Sequence, residues 1–120
     1  MDPDSVTRQL GIDPIYSHQR GDRRNPKAPP YKHGMWALRT KRILLTTDLE
    51  EHIVWILDRM EPVRAQFMGL RVAGVSTDIF CFLEAVGHGG PVFQPSTLGR
   101  IAALDLQLGI EVFYADEIPQ

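Results

Sequence analysis

A chain of 120 residues, 43 % apolar and 23 % charged with a formal net charge of −2, has the length and composition of one ordinary domain with its own core. Those proportions exclude a disordered polyelectrolyte, and no apolar run approaches the roughly 18 to 20 residues that span a bilayer. The opening MDPDSVTRQL lacks the basic segment and apolar run of a secretory signal, so the expected location is the cytoplasm, with no membrane partner.

Asp2 followed by Pro3 reads as an N-cap and first helical position, and Val6 and Leu10 fall one turn apart before Gly11 closes a short first helix. From Ile12 to Pro30 the chain holds Pro14, Gly21, Asn25, Pro26, Pro29 and Pro30, too many breakers for regular structure. A loop of that length inside a compact domain is a binding arm or a flap. Tyr31 to Thr40, YKHGMWALRT, is short and aromatic, which predicts a strand with Trp36 and Leu38 on one face and Met35 and Ala37 on the other.

Thr47 to Met60, TDLEEHIVWILDRM, organises the chain. Thr47 with Glu50 three residues on forms a capping box, and Leu49, Ile53, Ile56, Leu57 and Met60 make one apolar stripe, so this helix buries that side. Glu61-Pro62 interrupts it, because proline cannot donate into the helical ladder and restricts the residue before it. Val63 to Leu70 adds a further turn or two, with Gly69 and Gly74 at the exit.

Thr77 to Val86, TDIFCFLEAV, is the clearest strand. Ile79, Cys81, Leu83 and Ala85 share one face and Phe80, Phe82 and Val86 the other, with Glu84 as the polar exception. A strand apolar on both sides is expected at the centre of a sheet. Gly87 to Pro91 reads as a loop, Pro95 to about Leu106 as a third helix with Leu98, Ile101, Ala102 and Asp105 along its turns, and Leu108 to Tyr114 as the last strand.

Helices alternating with strands predict one α+β domain over residues 1–120, with a small sheet of roughly three to five strands, helices packed across one face, and a basic, Pro-rich loop at about 12–30. Phe80, Phe82, Phe113 and Met35 then fall on the opposite side. A face that apolar calls for a cover, supplied by the 12–30 loop, a second copy of the chain or another protein.

The pieces DPDSVTRQLGIDP (Asp2 to Pro14), Gly21-Asp22, YKHGMW ending at Trp36, DLEEHIVWILDRMEP (Asp48 to Pro62) and LGIEVFY (Leu108 to Tyr114) occur in an order and spacing that resembles a family of short bacterial proteins. That family is catalogued as domain of unknown function four-two-seven-nine. The resemblance implies a bacterial α+β domain and brings no catalytic residue with it. It also implies a strand before the first helix, for which Met1 leaves no room; an unpaired sheet edge is the expected result.

Patterns that carry chemistry are sparse. His18, His33, His52 and His88 lie far apart, with no HxH, HExxH or CxxC spacing. Asp48 and His52 share a helix side as two possible metal ligands, weighed against a surface hydrogen bond, and no metal or cofactor is expected. GHGGP lacks the phosphate-loop patterns and reads as a flexible turn, while no GxSxG surrounds Ser5, Ser17, Ser76 or Ser96. The lone Cys81, inside IFCFL, reads as a small buried hydrophobe that excludes an internal disulfide. No catalytic residue is assigned.

Charge is less evenly spread than the total implies. His18 to Arg42 carries eight basic side chains against Asp22 alone, a net of +7 that leaves −9 for the remainder. With Tyr16, Tyr31 and Trp36 interleaved, this limb has the composition of a nucleic-acid contact, but no nucleic-acid motif accompanies it and the acidic body would repel a polyanion. Limb and body are also free to attract each other.

The leading expectation is a non-catalytic protein-interaction module that forms a homo-oligomer or binds a protein partner. Its candidate binding residues are Arg23, Arg24, Lys32, His33, Trp36, Trp55, Phe80 and Phe82. Trp36 reads first as a core anchor; Trp55, off the buried stripe, packs under the 12–30 loop or stays partly exposed as a hot spot. The alternatives are a ligand-binding protein or enzyme with a pocket near Trp36 and His33, and a nucleic-acid contact through residues 18–42.

Overall fold

The computed structural model describes residues 1–85 and 90–114, so the predicted loop containing His88, and Val86 at the end of its strand, lie outside the described residues. Helix α1 spans Pro3–Leu10. Its ends are those expected: the Asp2 carboxylate accepts from the Asp4 amide at 3.0 Å, and Gly11 closes the helix at φ 68° with its N–H on the Thr7 carbonyl. Glycine suits that left-handed position because it has no Cβ to clash.

The 12–30 segment is not wholly irregular. Tyr16–His18 forms strand β1, antiparallel to β2 at Met35–Ala37, with Tyr16 opposite Ala37 and His18 opposite Met35. The breakers flank this strand and spare it: Pro14 lies before, Gly21 after. Cross-links at Gly21 N–H to Tyr31 C=O (2.9 Å) and Tyr31 N–H to Asp22 C=O (2.8 Å) tie the arm back on itself. β2 is shorter than the predicted Tyr31–Thr40 because its partner is only three residues long. Trp36 and Leu38 pack against the core while Met35 is exposed, as the alternation requires.

Helix α2 covers Leu49–Met60, and its cap falls one residue later than expected. Asp48, not Thr47, is extended (φ −77°, ψ 110°) and accepts from the Glu50 amide at 3.0 Å, while the Thr46 hydroxyl accepts from the Asp48 amide at 3.1 Å. The Glu50 carboxylate is then free to leave the cap, and it accepts from the Gln94 amide ahead of the fourth helix. Asp48→Ala is therefore expected to cost about 0.5–2 kcal/mol. Thermal unfolding followed by circular dichroism should show the midpoint falling by roughly 4 °C per kcal/mol, with Thr47→Ala leaving it in place.

On the predicted stripe Ile53, Leu57 and Met60 are buried, and Leu49 and Ile56 pack at its margin. Pro62 sits in a 3₁₀ turn, Glu61–Val63, that leads into α3, Arg64–Val72. The chain leaves through Gly74 at φ 92°. Strand β3, Asp78–Ala85, runs parallel to β4, Gln107–Tyr114, in register from Asp78 opposite Gln107 to Ala85 opposite Tyr114. The crossover carries α4, Pro95–Ala103. It ends before the predicted Leu106 because Leu104 turns into the core and Asp105 takes a positive φ of 53°.

The α+β class therefore holds, but the four strands among the described residues form two two-stranded sheets. β3 is not central: among the described residues it has one neighbour, β4. Met35 belongs to the hairpin and leaves the aromatic face. The core lies between the layers, where α2 packs against β3 and α4, α4 packs against β4, and α1 carries both α3 and β2. On the ladder's inner side Ile79 and Cys81 are buried, and burial pushes the Cys81 thiol up, away from thiolate. Arg100 on α4 clamps Asp58 and Glu61 at 2.6 Å each, and that guanidinium holds the Glu61 carboxyl below its usual range. No described helix is long and apolar enough to cross a membrane.

Candidate functional site

The outer face of the β3–β4 ladder follows from strand alternation and register. Asp78, Phe80, Phe82 and Glu84 on β3 share it with Gln107, Gly109, Glu111 and Phe113 on β4. Phe80, Phe82 and Phe113 are 52 %, 67 % and 41 % exposed. Phe80 meets Phe82 edge-on at 5.1 Å between centroids, and Phe82 stacks on Phe113 at 6.2 Å. The Phe80 ring lies over Gly109, where an added Cβ would come within 2.7 Å of it. Glycine opposite Phe80 thus lets an aromatic ring lie flat on the sheet. No lysine or arginine occupies any of the eight positions, whereas Asp78, Glu84 and Glu111 are exposed there.

The hairpin presents the opposite charge. All eight basic residues between His18 and Arg42 are exposed. Among the described residues none pairs with a carboxylate; the ion pairs are Arg8 with Asp2, Arg71 with Asp105, and Arg100 with Asp58 and Glu61. Among the described residues the attraction of limb for body is therefore not realised in close ion pairs. The hairpin is instead held by aromatic contacts: the His18 ring stacks on Tyr31 at 3.7 Å, and the Arg39 guanidinium sits 4.0 Å over the Tyr16 ring.

His18 Nε2 lies 3.1 Å from the His33 carbonyl, which can only accept, so that nitrogen carries the proton. In the neutral ring Nδ1 then accepts from the Tyr16 hydroxyl at 2.7 Å. Hydrogen bonding with Tyr31, and then loss of solvent, hold the Tyr16 phenol above its ordinary range. Both imidazole nitrogens are thus engaged, and the pair works as a clip on the hairpin, not as an open general base. Sequence reasoning missed the pair; the i, i+2 spacing of Tyr16 and His18 reveals it only once the segment is known to be a strand.

The candidate residues separate into distinct places. Arg23, Arg24, Lys32 and His33 lie on the exposed arm, where Arg23 donates to the Ala28 carbonyl at 2.8 Å. Trp36 turns inward, its indole N–H donating to the Thr7 hydroxyl at 3.1 Å while the ring packs on the core. Trp55 is half-buried on α2 under the Arg59 guanidinium at 3.3 Å. It lines a shallow cleft of about 360 Å³ with Leu44, Val54, Glu50, Glu51 and Asp58, and no residue of 12–30 takes part. A second cleft, about 480 Å³, lies between the start of α2, Leu83 and the segment 90–94. Neither cleft is formed by Trp36 or His33. Phe80 and Phe82 lie together on the outer face of the β3–β4 ladder.

Asp48 and His52 do not form a ligand pair. Asp48 caps α2, and His52 joins Thr40 Oγ1 at 2.6 Å through Nδ1 and the Thr46 carbonyl at 2.7 Å through Nε2. His52 thereby pins the 40–46 segment to α2. Among the described residues no three histidine, cysteine, aspartate or glutamate side chains gather as a metal site.

Fold and surfaces together define a small α+β domain with an acidic, aromatic sheet face at one place and a cationic hairpin at another. The family described as Domain of unknown function (DUF4279) matches residues 1–114, and the chain belongs to that family. No curated protein and no solved structure matches it.

Proposed function

We propose that this chain is a non-catalytic protein-interaction module of the bacterial cytoplasm that self-associates through the outer face of the β3–β4 ladder. The observation that carries this is the contiguous row of Phe80, Phe82 and Phe113, open to water on a parallel pair of strands. Parallel ladders are ordinarily covered on both faces. Here α2 and α4 supply one cover. The outer edges of β3 and β4 also have no strand partner among the described residues, which leaves backbone donors and acceptors for an incoming chain.

Sedimentation velocity over a concentration series tests this directly. Wild type should shift toward heavier species as concentration rises, and Phe82→Ser should remain a single copy at the same loading. Phe82 is on the water side of the ladder, so its removal should leave the unfolding transition nearly unchanged. A wild type that sediments as one copy at its highest soluble concentration would rule the proposal out.

A further inference from the structure

We infer that the association is head-to-tail, with the cationic arm of one copy docking on the acidic aromatic face of the next. This rests on the self-association proposed above and specifies its geometry. Three features of the chain point the same way.

The first is the charge of the face. Asp78, Glu84 and Glu111 border the three phenylalanines, with no lysine or arginine at the eight described positions of the face, so two such faces laid together would set carboxylates against carboxylates. The apolar rings need a partner that brings positive charge. The second is the arm: Arg20, Arg23, Arg24, Lys27 and Lys32 are exposed, and none of them is matched by a carboxylate among the described residues. Arginine also suits an aromatic surface, because its planar guanidinium stacks on rings while the stem covers apolar area. This chain uses that contact within itself, at Arg39 over Tyr16 and at Arg59 over Trp55.

The third feature is placement. The hairpin is seated on α1, whereas the ladder is seated on α2 and α4 with its aromatic face turned away from them. Arm and face on one chain belong to different parts of the fold, so the complementary contact forms between copies. Each copy then offers one donor surface and one acceptor surface. Such a heterologous contact builds rings or open chains and does not close at two copies. It also weakens with salt, because its charges lie at the surface.

Mixing two variants tests this. The arm variant Arg23→Glu/Arg24→Glu keeps an intact face, and the face variant Phe82→Ser keeps an intact arm. Each alone should associate at least roughly tenfold more weakly than wild type. Mixed in equal amounts at low ionic strength, they should form a complex of one copy each that grows no further, while wild type passes beyond two copies. In about 0.5 M salt, where screening acts within roughly 5 Å, the wild-type oligomers should dissociate. Wild-type association that stops at two copies would overturn the head-to-tail geometry, in favour of a two-fold exchange of arms where it is salt-sensitive and lost on the arm substitutions, while leaving self-association through the face standing. Association of the arm variant equal to that of wild type would do the same. A wild type that stays a single copy at low salt would overturn both, and retardation of a single-stranded oligonucleotide by that monomer would assign the arm to polyanions instead.

Discussion

Leu57→Ala is expected to cost about 3–5 kcal/mol, the upper part of the range for a leucine truncated in a core. Leu57 is 0 % exposed and lies midway along the stripe that α2 presents to β3 and α4, with Ile53 and Leu104 also fully enclosed nearby in the same cluster. The layers on either side are held by separate helices and strands, so the space left by the side chain has little freedom to collapse. A domain of this size has roughly 5–15 kcal/mol of stability in all. Urea titration should therefore show the midpoint falling by roughly a fifth of its value or more with the slope unchanged. Ile56→Ala, at the half-buried margin of the same helix, should cost clearly less. A loss below about 1 kcal/mol at Leu57 would mean that α2 does not form the centre of the fold.

Trp36→Ala is expected to release the hairpin from the body. β1 and β2 pair over three residues each, and an isolated hairpin of that size is marginal in water. What seats it is the Trp36 ring on the core and its N–H on Thr7. Because Trp36 is partly exposed, the truncation should cost about 2–4 kcal/mol, below the range for a fully enclosed tryptophan. Hydrogen exchange locates the effect: the amides of Ile15, Gly21 and Tyr31, which donate across the hairpin, should lose protection while those of α2 keep it. Trp36→Phe keeps most of the packing and should lose about 1 kcal/mol, the net value of one hydrogen bond. Unchanged exchange at those three amides in Trp36→Ala would show that the hairpin is anchored elsewhere.

The parts of the fold legible in the sequence are those fixed by neighbours within one or two turns. α1 could be bounded because Asp-Pro and Gly mark its ends with unambiguous backbone demands. The stripe of α2 is equally local. The position of its cap was not, since Thr47 and Asp48 both suit the role, and the choice falls to the Thr46 hydroxyl that holds the Asp48 amide. β1 escaped because three residues are too few for a period to show, and proline and glycine crowd its flanks. Strand partners were out of reach for a different reason: alternation fixes the faces of β3 but says nothing about whether β2 or β4 lies alongside it.

The same division governs the candidate surfaces. That Phe80 and Phe82 share one face follows from alternation, whereas the openness of that face to water is a property of the fold. Their contact with Phe113 depends on the parallel register and could only be hoped for from sequence. The basic limb was visible as composition, whereas the lack of carboxylate partners around it is a property of tertiary placement. Trp36 and Trp55 illustrate the limit of residue type as a guide, because one anchors a hairpin and the other lies under an arginine on a shallow cleft.

The pairing of β3 with β4 across an intervening helix has a consequence for biosynthesis. Residues 78–85 leave the ribosome well before Gln107–Tyr114, so the stretch IFCFL emerges as a lone strand with no ladder to join. Rich in β-formers, uncharged and free of proline, it is the window of this chain most prone to intermolecular stacking during that interval. Chaperone shelter, or fast translation through α4, is what the nascent polypeptide requires until its final strand arrives.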